Sequence, residues 1–377
     1  MTGLYRHFVL PVPEGIRRAV SGWLGRLMEA GRFDAVLAPC ETTSENSVVT
    51  ALIRQPARLD RVDPVAPVAL VNAARVLSDV TRTQSDTRLA VLLRPCEYRA
   101  AVELAKLKQV NLGPVVPIGL DCLGTFSPAD YKAAANAAGG GAALTGTWVD
   151  QLRQGQPPAR AEFQVRPACS VCPTPVADLP LRLGLVGAPA GSLLVEASGE
   201  WAAVMEALGL DEVSSAGARG ALVSRLQAER AAASDRALAG YLGKVRDLPA
   251  LMAELSNCLK CLNCRRACPM CYCRECVFET PLFDHQSGQY LKWASRKGII
   301  ELPTDTLLYH LTRLNHMSFA CIGCGQCQAA CPVNLPLAYL WRALGEKVAA
   351  LFDYVPGRSL EDPIPLVTFK EDELEPR

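Results

Sequence analysis

Two stretches of the chain repeat one spacing, Cys-x2-Cys-x2-Cys-x3-Cys-Pro. The first is Cys258, Cys261, Cys264 and Cys268 with Pro269; the second is Cys321, Cys324, Cys327 and Cys331 with Pro332. This is the ligand run of two-cluster iron–sulfur proteins. Three thiolates spaced three residues apart wrap one cubane when the backbone curls around it. The fourth, beside proline, leaves the curl and reaches the neighbouring cluster. The spacing therefore predicts two [4Fe-4S] clusters and a fold built around them. One falls on Cys258, Cys261, Cys264 and Cys331, the other on Cys321, Cys324, Cys327 and Cys268. Disulfides need an oxidising compartment, and structural zinc usually takes two Cys-x2-Cys pairs rather than runs of four.

The 377 residues suffice for two or three domains, and half of them are apolar, as in globular chains. A net charge of +1 gives no electrostatic case for nucleic acid or an anionic membrane. The first twenty residues lack a continuous apolar core of a signal peptide, and no apolar run reaches membrane-spanning length. Sixteen cysteines in such a chain favour metal ligation, and a cytoplasmic location is expected.

Along residues 1–135, strand-like and helix-like segments alternate. Residues 35–39, 88–94 and 115–120 read as buried strands; residues 68–80 and 97–109 read as helices. Strand, helix, strand implies an α/β unit with a partly parallel sheet. Residues 135–160 are Ala/Gly-rich and then Gln/Pro-rich, and read as a loop. Residues 180–212 read as strands and turns, and 221–255 as a helical connector. The 52 residues between the two runs, 269–320, include the helical pattern 306–313. Another helical run, 337–352, follows the second motif. The expected fold is an α/β N-terminal domain joined to a mainly α-helical two-cluster ferredoxin domain. The expected boundaries are 1–215 for the first, 216–250 for the connector, 251–355 for the second and 356–377 for an acidic tail, whose last seven residues, 371–377, are expected to be disordered.

Five cysteines lie outside the C-terminal domain. A lone buried cysteine is ordinarily a small hydrophobe, and Cys40 is read that way. Cys96 and Cys122 each follow a predicted strand, where ligands gather in α/β domains. Cys169-x2-Cys172 adds a pair. Together the four thiolates suffice for a third [4Fe-4S] cluster or a zinc site.

At these residues the chain resembles a known family. The order is Arg94-Pro-Cys96-Glu, Leu120-Asp-Cys122-Leu-Gly, Ala168-Cys169-Ser-Val-Cys172, then Val176-Ala-Asp178 and Gly184. It is similar to the coenzyme F420 hydrogenase and formate dehydrogenase beta subunits, over roughly residues 35–205. That resemblance implies FAD and a [4Fe-4S] cluster on Cys96, Cys122, Cys169 and Cys172. It also implies a flavin loop, matched here by residues 43–47 with Ser44, Asn46 and Ser47, leading into the helical run Val48-Val-Thr-Ala-Leu-Ile53. A helix N-terminus suits phosphates. The loop departs from the family in lacking glycine. Asn72, Gly184 and Gly187 are further flavin candidates. N-capping is the ordinary role of Ser and Asn at such positions.

Cys271, Cys273 and Cys276 follow the first run in a stretch that also resembles these subunits. They imply a zinc ion or another cluster, with His285 as a candidate fourth ligand. No Gly-x-Gly-x-x-Gly fingerprint follows a strand, and no acid–base pair is marked. The expected function is an oxidoreductase subunit moving electrons between a soluble hydride carrier and a redox partner subunit. The carrier is the deazaflavin coenzyme or NAD(P)H. The partner is of formate dehydrogenase, hydrogenase or heterodisulfide reductase type. The alternative is a flavin-free electron relay.

Overall fold

The computed structural model describes residues 5–83, 86–159, 162–214, 217–298, 304–369 and 371. The N-terminal part runs β1 (Arg6–Pro11), α1 (Ile16–Glu29), β2 (Ala35–Glu41), β3 (Val48–Ile53), α2 (Ala73–Thr83), β4 (Leu89–Leu93), α3 (Pro95–Lys106) and β5 (Val115–Leu120). It continues with α4 (Pro128–Ala138), α5 (Gly141–Arg153), α6 (Pro167–Ser170), β6 (Leu181–Gly184), β7 (Ser192–Ala197), α7 (Glu200–Ala207) and β8 (Asp211–Val213). The strands form one eight-stranded sheet in the order β3-β2-β4-β5-β6-β7-β1-β8. The pairs β2–β4, β4–β5 and β5–β6 are parallel, and the flanking pairs are antiparallel.

Burial explains which strands are central. Every residue of β2 (AVLAPCE) and β4 (LAVLL) is buried, because helices cover both faces of a parallel sheet. On one face, α1, α4 and α5 bury Trp23, Leu27, Tyr131, Leu144 and Trp148 against Phe8, Ala38 and Ile118. On the other, α2 and α3 bury Leu77, Ala100 and Leu104 against Leu37, Leu89 and Val91. Met270, Met317, Phe319 and Ile322 of the cysteine-rich module join this second core. The module is therefore packed onto the α/β sheet.

A 26-residue helix, α8 (Arg219–Lys244), leads into the module. There follow α9 (Leu248–Leu255), α10 (Asn263–Ala267), α11 (Ser287–Lys297), α12 (Thr304–Met317), α13 (Gln326–Ala329) and α14 (Leu337–Phe352). The expected mixed sheet domain and helical C-terminal region are both present. No described helix is long and apolar enough to cross a membrane.

Three local expectations differ from the structure. Residues 48–53 form a strand, not a helix, paired antiparallel to β2 from Val36–Ile53 to Glu41–Val48. Val, Thr and Ile suit a strand, and the turn at 42–47 closes a hairpin. The supposed loop 135–160 contains all of α5 and the end of α4. Ser127 caps α4 by accepting from the Asp130 N–H, Pro128 opens it, and Gly139 ends it in the left-handed region at φ 82°. The expected helix over 221–255 is two helices, α8 and α9; Asp247 caps the second, with Pro249 in its first turn. The start of the 356–377 tail is tied to the α/β domain. Tyr354 Oη donates to Glu103 at 2.7 Å, and the Gly357 N–H donates to Glu103 at 2.6 Å. Residues 372–377 lie outside the described residues.

Candidate iron–sulfur centres

The two cysteine runs adopt one backbone design. In the first, Lys260 and Leu262 hold positive φ of 52° and 61°. In the second, the equivalent Gly323 and Gly325 hold 72° and 70°. These left-handed residues curl the chain so that N–H groups point at sulfur. The Lys260 and Leu335 N–H groups each donate at 3.4 Å, to Cys258 Sγ and Cys331 Sγ. Backbone N–H groups of Gly323 and Gln326 likewise favour the thiolates of Cys321 and Cys324. Donors aimed at sulfur suit thiolate ligands of an anionic cluster.

Cys258, Cys261, Cys264 and Cys331 line one small cavity, which is the crossed-over set expected from the spacing. His310 Nε2 lies 3.3 Å from Cys258 Sγ, and Tyr309 Oη lies 3.2 Å from Cys264 Sγ. Cys321, Cys324 and Cys327 interact electrostatically with one another. Cys268 Sγ lies 3.7 Å from Met317 Sδ, at the start of the second run.

In the α/β domain, the central parallel strands deliver cysteines to their carboxyl ends. Cys96 sits in the first turn of α3, just after β4, and Cys122 follows β5. Arg94 fixes Cys96. Its guanidinium is buried, donates to the carbonyls of Ala66 and Val68 at 2.9 Å each, and pairs with Glu97 at 3.2 Å. Cys169 lies in α6, and Cys172 follows it. Cys96 acts electrostatically on Cys122 and Cys172, and Cys122 on Cys169 and Cys172, so the four expected thiols share one site. Burial pushes the Cys122 thiol up to about 11, whereas Cys169 is opposite. There burial opposes ionisation, but Arg166 and Thr125 outweigh it and hold the thiol below its ordinary value.

This site abuts the second run. Cys324 interacts with both Cys96 and Cys169. A side chain at Gly325 would overlap Ala168 Cβ, beside Cys169, so only glycine permits this approach. Cys327 in turn interacts with Cys264 of the first run. The cysteines thus form a series from the carboxyl ends of β4 and β5 through the second run to the first.

Two buried arginines stand along that series. Arg166 is 7% exposed, and its Nη2 lies 3.7 Å from Cys169 Sγ. Its Nε and Nη1 have no hydrogen-bond partner. Arg313 is 4% exposed, and its Nε and Nη1 are likewise unpartnered, although Nη2 donates to the Cys264 carbonyl at 3.2 Å. A buried guanidinium without a carboxylate calls for another anion. Clusters on these cysteines supply one, so the residues fit the group. Sequence reasoning missed both arginines, since an arginine near cysteine is unremarkable in a sequence.

The expected flavin residues each have local partners in the fold. Ser44 Oγ donates to Asn46 at 3.0 Å, and the Asn46 amide donates to Asn136 at 3.0 Å. The Glu45 carbonyl accepts from the Gly141 N–H, so this hairpin turn leans on the start of α5 and opens no helix of its own. Ser47 closes the turn through its carbonyl. Asn72 caps α2, accepting from the Ala74 N–H at 3.1 Å. Gly184 and Gly187 make room for Arg219, whose atoms a Cβ would meet at 2.8 and 2.7 Å. Arg219 pairs there with Asp121 and Glu196. The phosphate argument fails because β3, not a helix, follows the loop. His285, the candidate ligand to the extra cysteines, instead lies 3.2 Å from Asp305.

A cavity of about 560 Å3 lies beside the cysteine series. Cys172 and Cys321 line it, with Pro95, Tyr98, Arg99, Asp178, Tyr354 and Arg358.

Residues 254–335 match the 4Fe-4S dicluster domain, which spans all eight cysteines of the two runs. The chain is 28% identical to the F420-dependent formate dehydrogenase subunit beta of Methanocaldococcus jannaschii over 74% of this chain and 76% of that protein. It is 25% identical to the F420-dependent formate dehydrogenase 1 subunit beta of Methanococcus maripaludis over 74% of this chain and 75% of that one. Among solved structures, a chain of the xenon-derivatised F420-reducing [NiFe] hydrogenase complex from Methanosarcina barkeri aligns with a TM-score of 0.45 at 15% identity. That alignment covers 62% of this chain and 92% of the other.

Proposed function

For a chain that is an iron–sulfur oxidoreductase subunit, homologous to F420-dependent formate dehydrogenase beta subunits, we propose a three-centre electron path. It runs between a hydride-carrier site in the α/β domain and a redox partner subunit at the dicluster module. The observation that carries this reading is the adjacency of Cys96, Cys122, Cys169 and Cys172 to Cys324 of the second run. Cys96, Cys122, Cys169 and Cys172 would hold a third [4Fe-4S] cluster, which would supply one-electron chemistry between the cavity and the module.

We place the flavin in the cavity of about 560 Å3, since its size is that of a cofactor pocket and it opens beside Cys172. Tyr98, Pro95 and Val176 would flank the ring system, and Arg99 and Arg358 would hold the charged groups. A flavin supplies the exchange between a two-electron hydride and single electrons. The residues of the chain do the rest. Arg94 fixes the turn that carries Cys96, and the glycine at 325 keeps the two domains at close range. Arg166 and Arg313 offset negative charge along the path, and their burial keeps that effect strong. At the far end, Cys261 is exposed and Leu259 beside it is 64% exposed, which suits docking of the partner subunit.

Anaerobic purification followed by flavin and iron analysis tests the reading. Bound flavin, lost when Arg358 and Tyr98 are replaced together, supports it. Full iron loading with no flavin favours the flavin-free relay.

A further inference from the structure

Apart from the buried Cys40, three thiols remain outside the three sites above. Cys271, Cys273 and Cys276 line one cavity of about 450 Å3, together with Arg313, His316 and Met317 of α12. Met270, Phe278 and Phe319 make much of its wall apolar. The buried Arg313, with Nε and Nη1 unpartnered, lines it, whereas its one carboxylate, Glu275, is exposed. The loop is held in place by Arg265, which donates to the Cys273 carbonyl at 2.8 Å and pairs with Glu279 at 2.5 Å. The site also adjoins the dicluster module, because Cys268 and Cys271 sulfurs lie 3.7 and 4.0 Å from the same Met317 Sδ.

These thiols are free rather than disulfide-bonded. Among the described residues no three donors converge closely enough for a single metal ion, as a structural zinc site requires. A cubane spreads its ligands more widely than one ion does, as in the two runs of the dicluster domain. We propose that Cys271, Cys273 and Cys276 ligate a further iron–sulfur cluster seated in this cavity, with His316 as the non-cysteine donor. Ligation releases the three thiol protons, and the Arg313 guanidinium offsets the negative charge that results. With Cys273 and Tyr272 exposed, the cluster lies at the surface. The proposal is independent of the flavin and of the α/β cluster.

The test is alkylation mapping on the unaltered, anaerobically iron-loaded full chain, with iodoacetamide and peptide mass spectrometry. Ligated thiols react slowly, so Cys271, Cys273 and Cys276 are protected until iron is chelated. Rapid alkylation of Cys273 and Cys276 in the iron-loaded protein overturns the proposal. Failure of the α/β cluster appears separately, as alkylation of Cys96, Cys122, Cys169 and Cys172. In a second arm, the double variant Cys273→Ser, Cys276→Ser loses about four irons per chain and keeps the paramagnetic signals of the two runs. Unchanged iron in that variant, or stoichiometric zinc in the parent, also overturns it.

Discussion

Replacing Arg166 by Gln removes a buried positive charge beside the α/β cysteines while keeping most of the side-chain volume. The guanidinium lies 3.7 Å from Cys169 Sγ, and its charge also acts on Cys96 and Cys324. An added electron spreads over a cluster whose centre is farther off, at about 6 Å from the charge. With an effective dielectric of about 20, one charge at that distance is worth about 3 kcal/mol. A tenfold change in an equilibrium is about 1.4 kcal/mol, or about 59 mV for one electron. The variant should therefore lower the midpoint potential of the α/β cluster by about 60 to 120 mV, the lower figure allowing for water entering the site. Arg166→Lys, which keeps the charge, should shift it far less. The assay is an anaerobic redox titration followed by electron paramagnetic resonance, with thermal denaturation to confirm folding. An unchanged midpoint in the Gln variant, or a shift to higher potential, refutes the assignment of Arg166 as counter-charge.

Other consequences are measurable. Gly325→Ala sets a side chain against Ala168 at a φ of 70°, and should cost about 1–3 kcal/mol and slow reduction of the module from the α/β side; an unchanged melting temperature and rate contradict the close approach. Burial raises the Asp63 carboxyl to about 6, with only the Thr145 hydroxyl among side chains to receive its charge at 2.8 Å. The folded state then binds that proton more tightly than the unfolded chain, so stability is fullest below about pH 4 and is lost as the pH rises through about 6. Asp63→Asn should therefore stabilise the protein by up to about 3 kcal/mol above pH 7 and by little below pH 4, read from melting curves across pH. Glu103 is fully buried, accepts from Tyr354 and Gly357, and pairs with Lys106 at 2.7 Å. Glu103→Ala should cost about 3–5 kcal/mol and expose residues 353–358 to limited proteolysis; persistent protection would show that the strap is held elsewhere.

The cysteine series was legible because cluster ligation fixes both residue type and spacing. The strands carrying Cys96 and Cys122 were legible because fully buried parallel strands read as unbroken apolar runs. Residues 48–53 misled because Val-Val-Thr-Ala-Leu-Ile carries both a helical apolar spacing and β-branched residues. Its pairing with β2, a tertiary contact, decides the matter. The Ala/Gly-rich stretch that ends α4 and forms α5 hid helices, since alanine gives strong propensity with little amphipathic pattern. Gly184 and Gly187 resembled ligand-approach glycines, but the group approaching them is Arg219, distant in sequence. Arg166 and Arg313 were not legible at all, because only the folded chain shows that they are buried without a carboxylate.

The central claim is that the four α/β cysteines hold a cluster in direct contact with the dicluster module. The most direct measurement compares the parent with Cys169→Ser, using iron analysis and paramagnetic resonance of the fully reduced proteins. The account predicts that the variant loses about four irons per chain. It also predicts that the parent spectrum is broadened by magnetic interaction between neighbouring clusters, and that part of this broadening disappears in the variant. Equal iron content and identical spectra in the two proteins would contradict it.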